Sequence, residues 1–365
     1  MGAPHGSIDR VACWEAAMDL LTSLGLFARP LPRSTAMVRL GLAAMAFGGL
    51  VQTAGARELL QPEPKWTVGT DFADSKKARS NLSGAACAPT SPPFMSCLIV
   101  NDDKKYAQTF SIEGATLRPA RVVRLMPDDV EGDPDAEAAA YDDGYFYVAG
   151  SHGRPRHHPD TGNPPSYTLF RFPMNRQTLQ PDFVSDQDVK GLEATTRLRG
   201  VLETLPPTAD KYDKPLGDGG INIEGLAVRK GRVYVGLRGP SIDRHAFLIS
   251  VDRDAIFTDD RPLQARSHAL KLGKHTGIRD LAKVRNGLLV LSGPVNDQAV
   301  RPAIFLWDDD GELQKLAELD IAEAGKGAKA ETLLVLQDDD SGPLRVLVMF
   351  DGPENGHPLE YTLKR

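Results

Sequence analysis

A short pattern recurs five times along this chain, and a recurring supersecondary unit constrains a fold more tightly than any average property. Each copy begins with a polar or charged residue, then a small residue or Leu, then an apolar stretch. The copies are Leu82-Ser83-Gly84-Ala85-Ala86, Ala136-Glu137-Ala138-Ala139-Ala140, Ile223-Glu224-Gly225-Leu226-Ala227, Arg279-Asp280-Leu281-Ala282 and Ala330-Glu331-Thr332-Leu333-Leu334. Most intervals are about fifty residues, and the one from Glu137 to Glu224 is longer. A second apolar segment follows each copy: CLIVND from Cys97, YFYVAGS from Tyr145, RVYVGLRG from Arg232, GLLVLSG from Gly287 and RVLVMFDG from Arg345. Between them stand Asp142-Asp143-Gly144, Lys230-Gly231, Asn286-Gly287 and the longer run 338–342, all with the chemistry of hairpin turns. A third strand begins at Tyr106, Ser166, Ala246, Ala303 and Leu359. A fourth begins at Ala120, Thr196, Ala265 and Leu313.

The fifth unit thus ends after its third strand. An unassigned strand-like piece, Lys65 to Phe72, stands before the first unit. These parts predict an all-β, five-bladed β-propeller closed by that N-terminal strand beside Leu359–Leu363, since pairing removes an exposed sheet edge. A six-bladed ring, with a degenerate blade in the long interval, is the alternative. Two insertions, Gly150 to Pro165 and Leu205 to Gly220, follow strands and are expected on the ring surface, where long loops often carry function.

With 41% hydrophobic and 25% charged residues among 365, the chain has enough apolar material for one large core. Its net charge of −6 and lack of a Lys/Arg-rich block disfavour a sequence-independent grip on nucleic acid. The stretch from Met37 has Arg39, an apolar run Leu40–Val51 and the small-residue site Ala54-Gly55-Ala56. This is the pattern of a secretory signal, with a run too short to span a bilayer comfortably. The expected organisation is a leader at 1–36, a signal peptide at 37–56 and one propeller domain at 57–365. The mature product would be periplasmic or secreted, monomeric and without a transmembrane helix. Cys13 falls in the leader, leaving Cys87 and Cys97 as an even pair. A structural disulfide is the expectation in an oxidising compartment, and two buried thiols are the alternative.

The segments INIEGLAVRKGRVYVGLRGP (221–240), GIRDLAKVRNGLLVLSGP (277–294) and DAEAAAYDDGYFYVAGSH (135–152) resemble the bacterial family called domain of unknown function 3616, or DUF3616. The resemblance covers roughly residues 75–355. It implies an exported propeller and no established reaction. A looser resemblance to phytase-like esterase propellers implies calcium chemistry, which maps only onto Glu137, Glu224 and Asp280. Ser83 in the first unit and Thr332 after Glu331 depart from a strict acidic ring.

In a propeller the first strand of each blade lines the central channel. Glu137, Glu224, Asp280 and Glu331 fall at matching places and are expected to converge there. Converging carboxylates raise one another's pKa or recruit a cation, and calcium suits such oxygen-rich sites. The competing reading is structural: each acid bonds backbone or an arginine, with Arg238 and Arg279 available. Ser151, His152, Arg238 and Asp351 end their strands near the same face and complete the channel-lining candidates. Ser151 and His152 are adjacent, which is not the folded arrangement of a nucleophile and its base, and no GxSxG elbow occurs. The neighbouring His157-His158-Pro159-Asp160 lacks a third fixed metal ligand. Two functions follow from this reading: a scaffold that binds a small molecule or protein through an acidic channel, or a calcium-assisted esterase or phosphoesterase.

Overall fold

Two turns carry the hairpin chemistry through to the backbone. Asp143 and Gly144 have φ of 46° and 85°, and Lys230 and Gly231 have φ of 49° and 72°. Positive φ at both central residues is what a two-residue hairpin turn needs to match the twist of its strands. The computed structural model describes residues 58–63, 66–88, 94–155, 161–340 and 342–364. The expected leader, signal peptide and 157–160 loop lie outside them.

The described strands form five sheets. The first holds β1 (Thr67–Val68), β2 (Leu82–Ala88), β3 (Phe94–Asn101), β4 (Tyr106–Glu113) and β5 (Thr116–Arg124), with a short helix α1 (Lys76–Arg79) between β1 and β2. The second holds β6 (Ala136–Asp142), β7 (Tyr145–Gly150), β8 (Leu169–Asn175), β9 (Gln180–Pro181) and β10 (Glu193–Thr195), followed by helix α2 (Arg197–Thr204). The third holds β11 (Asn222–Arg229), β12 (Arg232–Gly239), β13 (Ala246–Asp252) and β14 (Arg266–Leu270). The fourth holds β15 (Thr276–Val284), β16 (Gly287–Pro294), β17 (Ala303–Asp308) and β18 (Leu313–Glu318). The last has three strands, β19 (Lys329–Gln337), β20 (Leu344–Asp351) and β21 (Leu359–Leu363).

The ring is made by what lies between the sheets. Five apolar clusters each join two neighbouring blades. One of them packs Leu82, Ile99 and Phe110 of the first blade against Leu334, Leu347 and Met349 of the last, and so closes the circle. Strands β2, β6, β11, β15 and β19 touch one another in turn around the centre. The protein is therefore a five-bladed β-propeller. Among the described residues no helix is long and apolar enough to cross a membrane.

Two expectations are corrected. The N-terminal strand does not close the last blade beside Leu359–Leu363: β1 pairs in parallel with β5, on the outer edge of the first blade. Phe72 anchors it there, edge-on to Phe110 at 5.4 Å. The segment still reaches the last blade on its way, because Glu63 N–H donates to Glu360 O and Trp66 Nε1 donates to Glu360 Oε2, both at 2.8 Å. It thus straddles the closing seam without completing a sheet. The second correction is the fourth strand expected from Thr196, which is α2. Its buried Leu198, Val201 and Leu202 follow helical spacing, i, i+3, i+4. The outer strand of that blade is the short β10.

Cys87 and Cys97 stand directly opposite each other on β2 and β3 and form the expected disulfide, with an S–S distance of 2.02 Å.

Candidate functional site: the central channel

Every inner strand slips its register near its first residues. The breaks fall between Leu82 and Ala85, Ala136 and Ala138, Ile223 and Gly225, Ile278 and Asp280, and Ala330 and Thr332. A bulge leaves one residue unpaired and re-aims its side chain. The equivalent positions are therefore Ser83, Glu137, Glu224, Arg279 and Glu331. In the fourth blade the place belongs to Arg279, and Asp280 is one residue further on. The expectation that Asp280 lines the channel is corrected on this ground.

These five residues and Arg238, next to the end of β12, stand around the centre in two linked groups, Ser83 with Glu137 and Glu224 with Arg238, Arg279 and Glu331. Ser83 Oγ donates to Glu137 Oε2 at 2.8 Å. Arg238 Nη1 donates to Glu224 Oε1 at 2.7 Å. Arg279 Nε lies 2.8 Å from Glu224 Oε2, off the angle of a good hydrogen bond, and its Nη2 donates to Glu331 Oε1. Glu224 is 2% exposed and Arg279 1%. Burial lowers the Arg279 guanidinium to about 10, so it stays charged at neutral pH. Burial, then Asp135, Glu224 and Asp102, push the Glu137 carboxyl well above its usual range.

The residue after each bulge turns into the seam with the next blade. Asp280 accepts backbone N–H groups from Leu281 and from Leu333 on β19, each at 2.7 Å. Burial raises its carboxyl well above the ordinary value, and the two amides partly oppose this. Thr332 Oγ1 donates to Ser83 O at 2.7 Å. Gly84 and Gly225 occupy the same place where blades come too close for a side chain. Glu137, Glu224 and Asp280 therefore do not converge on one point. Among the described residues no three of His, Cys, Asp or Glu are grouped to hold a metal ion.

Above the ring, at the end where the inner strands begin, lies an acidic mouth. Ser151 follows β7 and its Oγ donates to Asp135, which heads β6. Asp351 ends β20 and pairs with Lys329 at 3.2 Å. Asp102, just after β3, was not singled out by the repeat. Burial, then Asp135, Asp103 and Asp351, raise its carboxyl to about 7. His152 does not join this mouth. It is 1% exposed, has a φ of 55° and lies against Tyr167 with ring centres 5.7 Å apart. Burial, helped by Arg199, lowers it to about 3.

The opposite end of the channel widens into a cavity of about 480 Å³. All five inner strands line it, through residues such as Ala85, Ala139, Leu226, Leu281 and Leu333. Trp66, Met95, Tyr141 and Leu336 stand around it, with Lys283, Asp338 and Arg345 as its charged members. Lys283 is held by Asp142 at 2.5 Å and Arg345 by Glu360 at 2.6 Å. Volume and lining are those of a small-molecule site, which typically runs to roughly 300–1,000 Å³. Repeat logic missed this end because its residues are the unremarkable small apolar ones.

The chain belongs to the family described as protein of unknown function (DUF3616), which matches residues 96–360. No curated protein matches the chain. It is similar to a solved, engineered GH43 glycoside hydrolase with endo-xylanase and exo-arabinofuranosidase activity, at 12% identity and a TM-score of 0.45. That match covers 80% of this chain and 52% of the other, so the chain spans about half the length of that enzyme. It is also similar to an alpha-L-arabinofuranosidase from Lactobacillus brevis, at 9% identity and a TM-score of 0.43, covering 77% of this chain and 90% of that one. At these values the likeness carries no argument about chemistry.

Proposed function

We propose that the protein is an exported binding scaffold that takes a small apolar ligand in the wide end of its channel. One observation carries the reading. Each blade gives its inner strand to a single cavity of about 480 Å³, while Glu224 and Glu331 at the channel's core are already paired to arginines. A carboxylate bonded to a buried guanidinium is a poor base and a poor calcium ligand, because it must first give up its partner. The ring then acts as a rigid floor, and the ligand meets preformed apolar walls.

The test is binding of the fluorescent probe N-phenyl-1-naphthylamine to the purified chain. Enhanced emission with saturation is expected. Leu336→Lys, at a partly buried cavity position, should abolish it with little change in melting temperature. Calcium-dependent turnover of p-nitrophenyl esters or phosphates, or unchanged probe binding in Leu336→Lys, would overturn the reading. Export is tested separately, by sequencing the N-terminus of the secreted product, which should begin near Arg57.

A further inference from the structure

The wide end of the channel carries two cations, Lys283 and Arg345, in a largely apolar wall. Each has a carboxylate partner, and each is more exposed than that partner. The side chains of Lys283 and Arg345 are both 41% exposed, against 14% for Asp142 and 8% for Glu360. The carboxylates thus lie back in the wall, and a molecule entering the cavity meets the cations first. Asp338 is the acidic residue of the lining, and it is engaged by Arg285, whose backbone N–H donates to Asp338 Oδ2 at 2.7 Å.

Arg345 is also held in place. It stands near the start of β20, directly opposite Gln337, which ends β19, so it belongs to the wide end of its blade. Its Nε donates to Glu360 Oε1 at 2.6 Å, and the other oxygen of that carboxylate accepts the Trp66 indole N–H at 2.8 Å. Trp66 is itself part of the cavity wall. Glu360 is therefore fixed from two sides and fixes the guanidinium from behind. That bond uses one of the five N–H donors of an arginine, and among the described residues the Arg345 guanidinium has no second partner. A planar guanidinium presents its donors in a fork that matches a carboxylate, and one whose orientation is already set loses less freedom on binding. Lys283 offers only a point charge, which Asp142 already meets.

We propose that the ligand of this cavity is an amphiphile with a carboxylate head, of the medium-chain fatty-acid class, whose alkyl chain lies against Leu226, Leu281 and Leu333 and whose head is received by Arg345. The proposal rests on the reading of the cavity as a site for an apolar ligand and adds the polar end that orients it. Apolar walls alone would accept such a chain either way round, whereas one placed guanidinium decides which end goes where. An alcohol of the same length buries the same apolar surface without the charge-assisted hydrogen bonds. An alkylammonium is repelled by Lys283 and Arg345.

The experiment is displacement of N-phenyl-1-naphthylamine from the purified full chain at neutral pH and low salt, with direct calorimetry of each competitor. The competitors are octanoate, octan-1-ol, octylammonium and acetate. Octanoate should bind about tenfold or more tighter than octan-1-ol, octylammonium more weakly than the alcohol, and acetate not at all. Arg345→Met should erase the advantage of octanoate over octan-1-ol. That change leaves Glu360 buried with Trp66 alone, so the double variant Arg345→Met, Glu360→Gln is measured beside it, with no unpaired charge left behind. It should still bind octan-1-ol and should also lose the preference for octanoate. Arg301→Met, at an exposed position away from the cavity lining, should leave the preference unchanged and so exclude a general charge effect. Equal affinities of octanoate and either octan-1-ol or octylammonium in the native chain, or a preference that survives in the double variant, would overturn the carboxylate head and leave the apolar site standing. No binding of the probe or of any eight-carbon competitor would overturn both.

Discussion

Arg279 holds, in the fourth blade, the bulge position that Glu224 holds in the third, and its Nε lies 2.8 Å from Glu224 Oε2. One buried guanidinium thus ties Glu224 and, through Nη2, Glu331, joining three consecutive blades at the axis. Removing one member of a buried pair leaves an uncompensated charge, at a cost of about 3–5 kcal/mol. Arg279→Met should lose that much in urea unfolding. A loss below about 1 kcal/mol would show that the ring is not what holds the blades at the centre.

The pattern of small residue after polar residue was legible because it repeats, and so was the blade number. Register was not. A bulge shifts which residue faces the axis by one, and nothing in Arg279-Asp280 alone says which of them is displaced. The acidic neighbours in the other copies point to Asp280, whereas pairing across β15 and β16 gives Arg279. The helix α2 was hidden for a similar reason, since Leu198, Val201 and Leu202 fit a strand until their spacing is read as helical. Asp102 was missed because it lies outside the shared pattern and matters only through neighbours on other blades.

The Cys87–Cys97 bridge closes a loop of sequence separation 10. Loop-closure entropy for that length is worth about 3 kcal/mol. Free-thiol counting on unreduced protein should find neither cysteine reactive, and a reductant should lower stability by about that amount. Unchanged denaturation midpoints with and without reductant would sink this expectation.

His152 gives an acid-side pH dependence. Its folded-state value is about 3 against an ordinary 6.5, so between those pH values the unfolded chain binds the extra proton. Stability from this group is complete above about 6.5 and is lost as the pH falls towards 3. His152→Asn suits the left-handed backbone there, with φ of 55°, and cannot titrate. Its unfolding free energy should depend less steeply on pH between 6.5 and 4 than that of the native chain. Parallel curves for the two proteins would rule His152 out as the source.

The seam between the first two blades gives the sharpest steric test. A methyl on Gly84 would lie 2.6 Å from Ala138 Cα and 2.7 Å from Glu137 O, and both obstacles are backbone. The neighbouring strand cannot rotate a side chain away. It must shift bodily, which pulls Glu137 from Ser83 and loosens the ring. Gly84→Ala should therefore cost about 1–3 kcal/mol or more, beyond the small gain expected from replacing glycine in a strand. Gly217→Ala is the control, because a methyl there meets nothing within 4 Å and the change should stay within about 0.5 kcal/mol. Denaturant unfolding of the two variants side by side decides the matter. Equal midpoints would mean the blades are not in backbone contact at this seam.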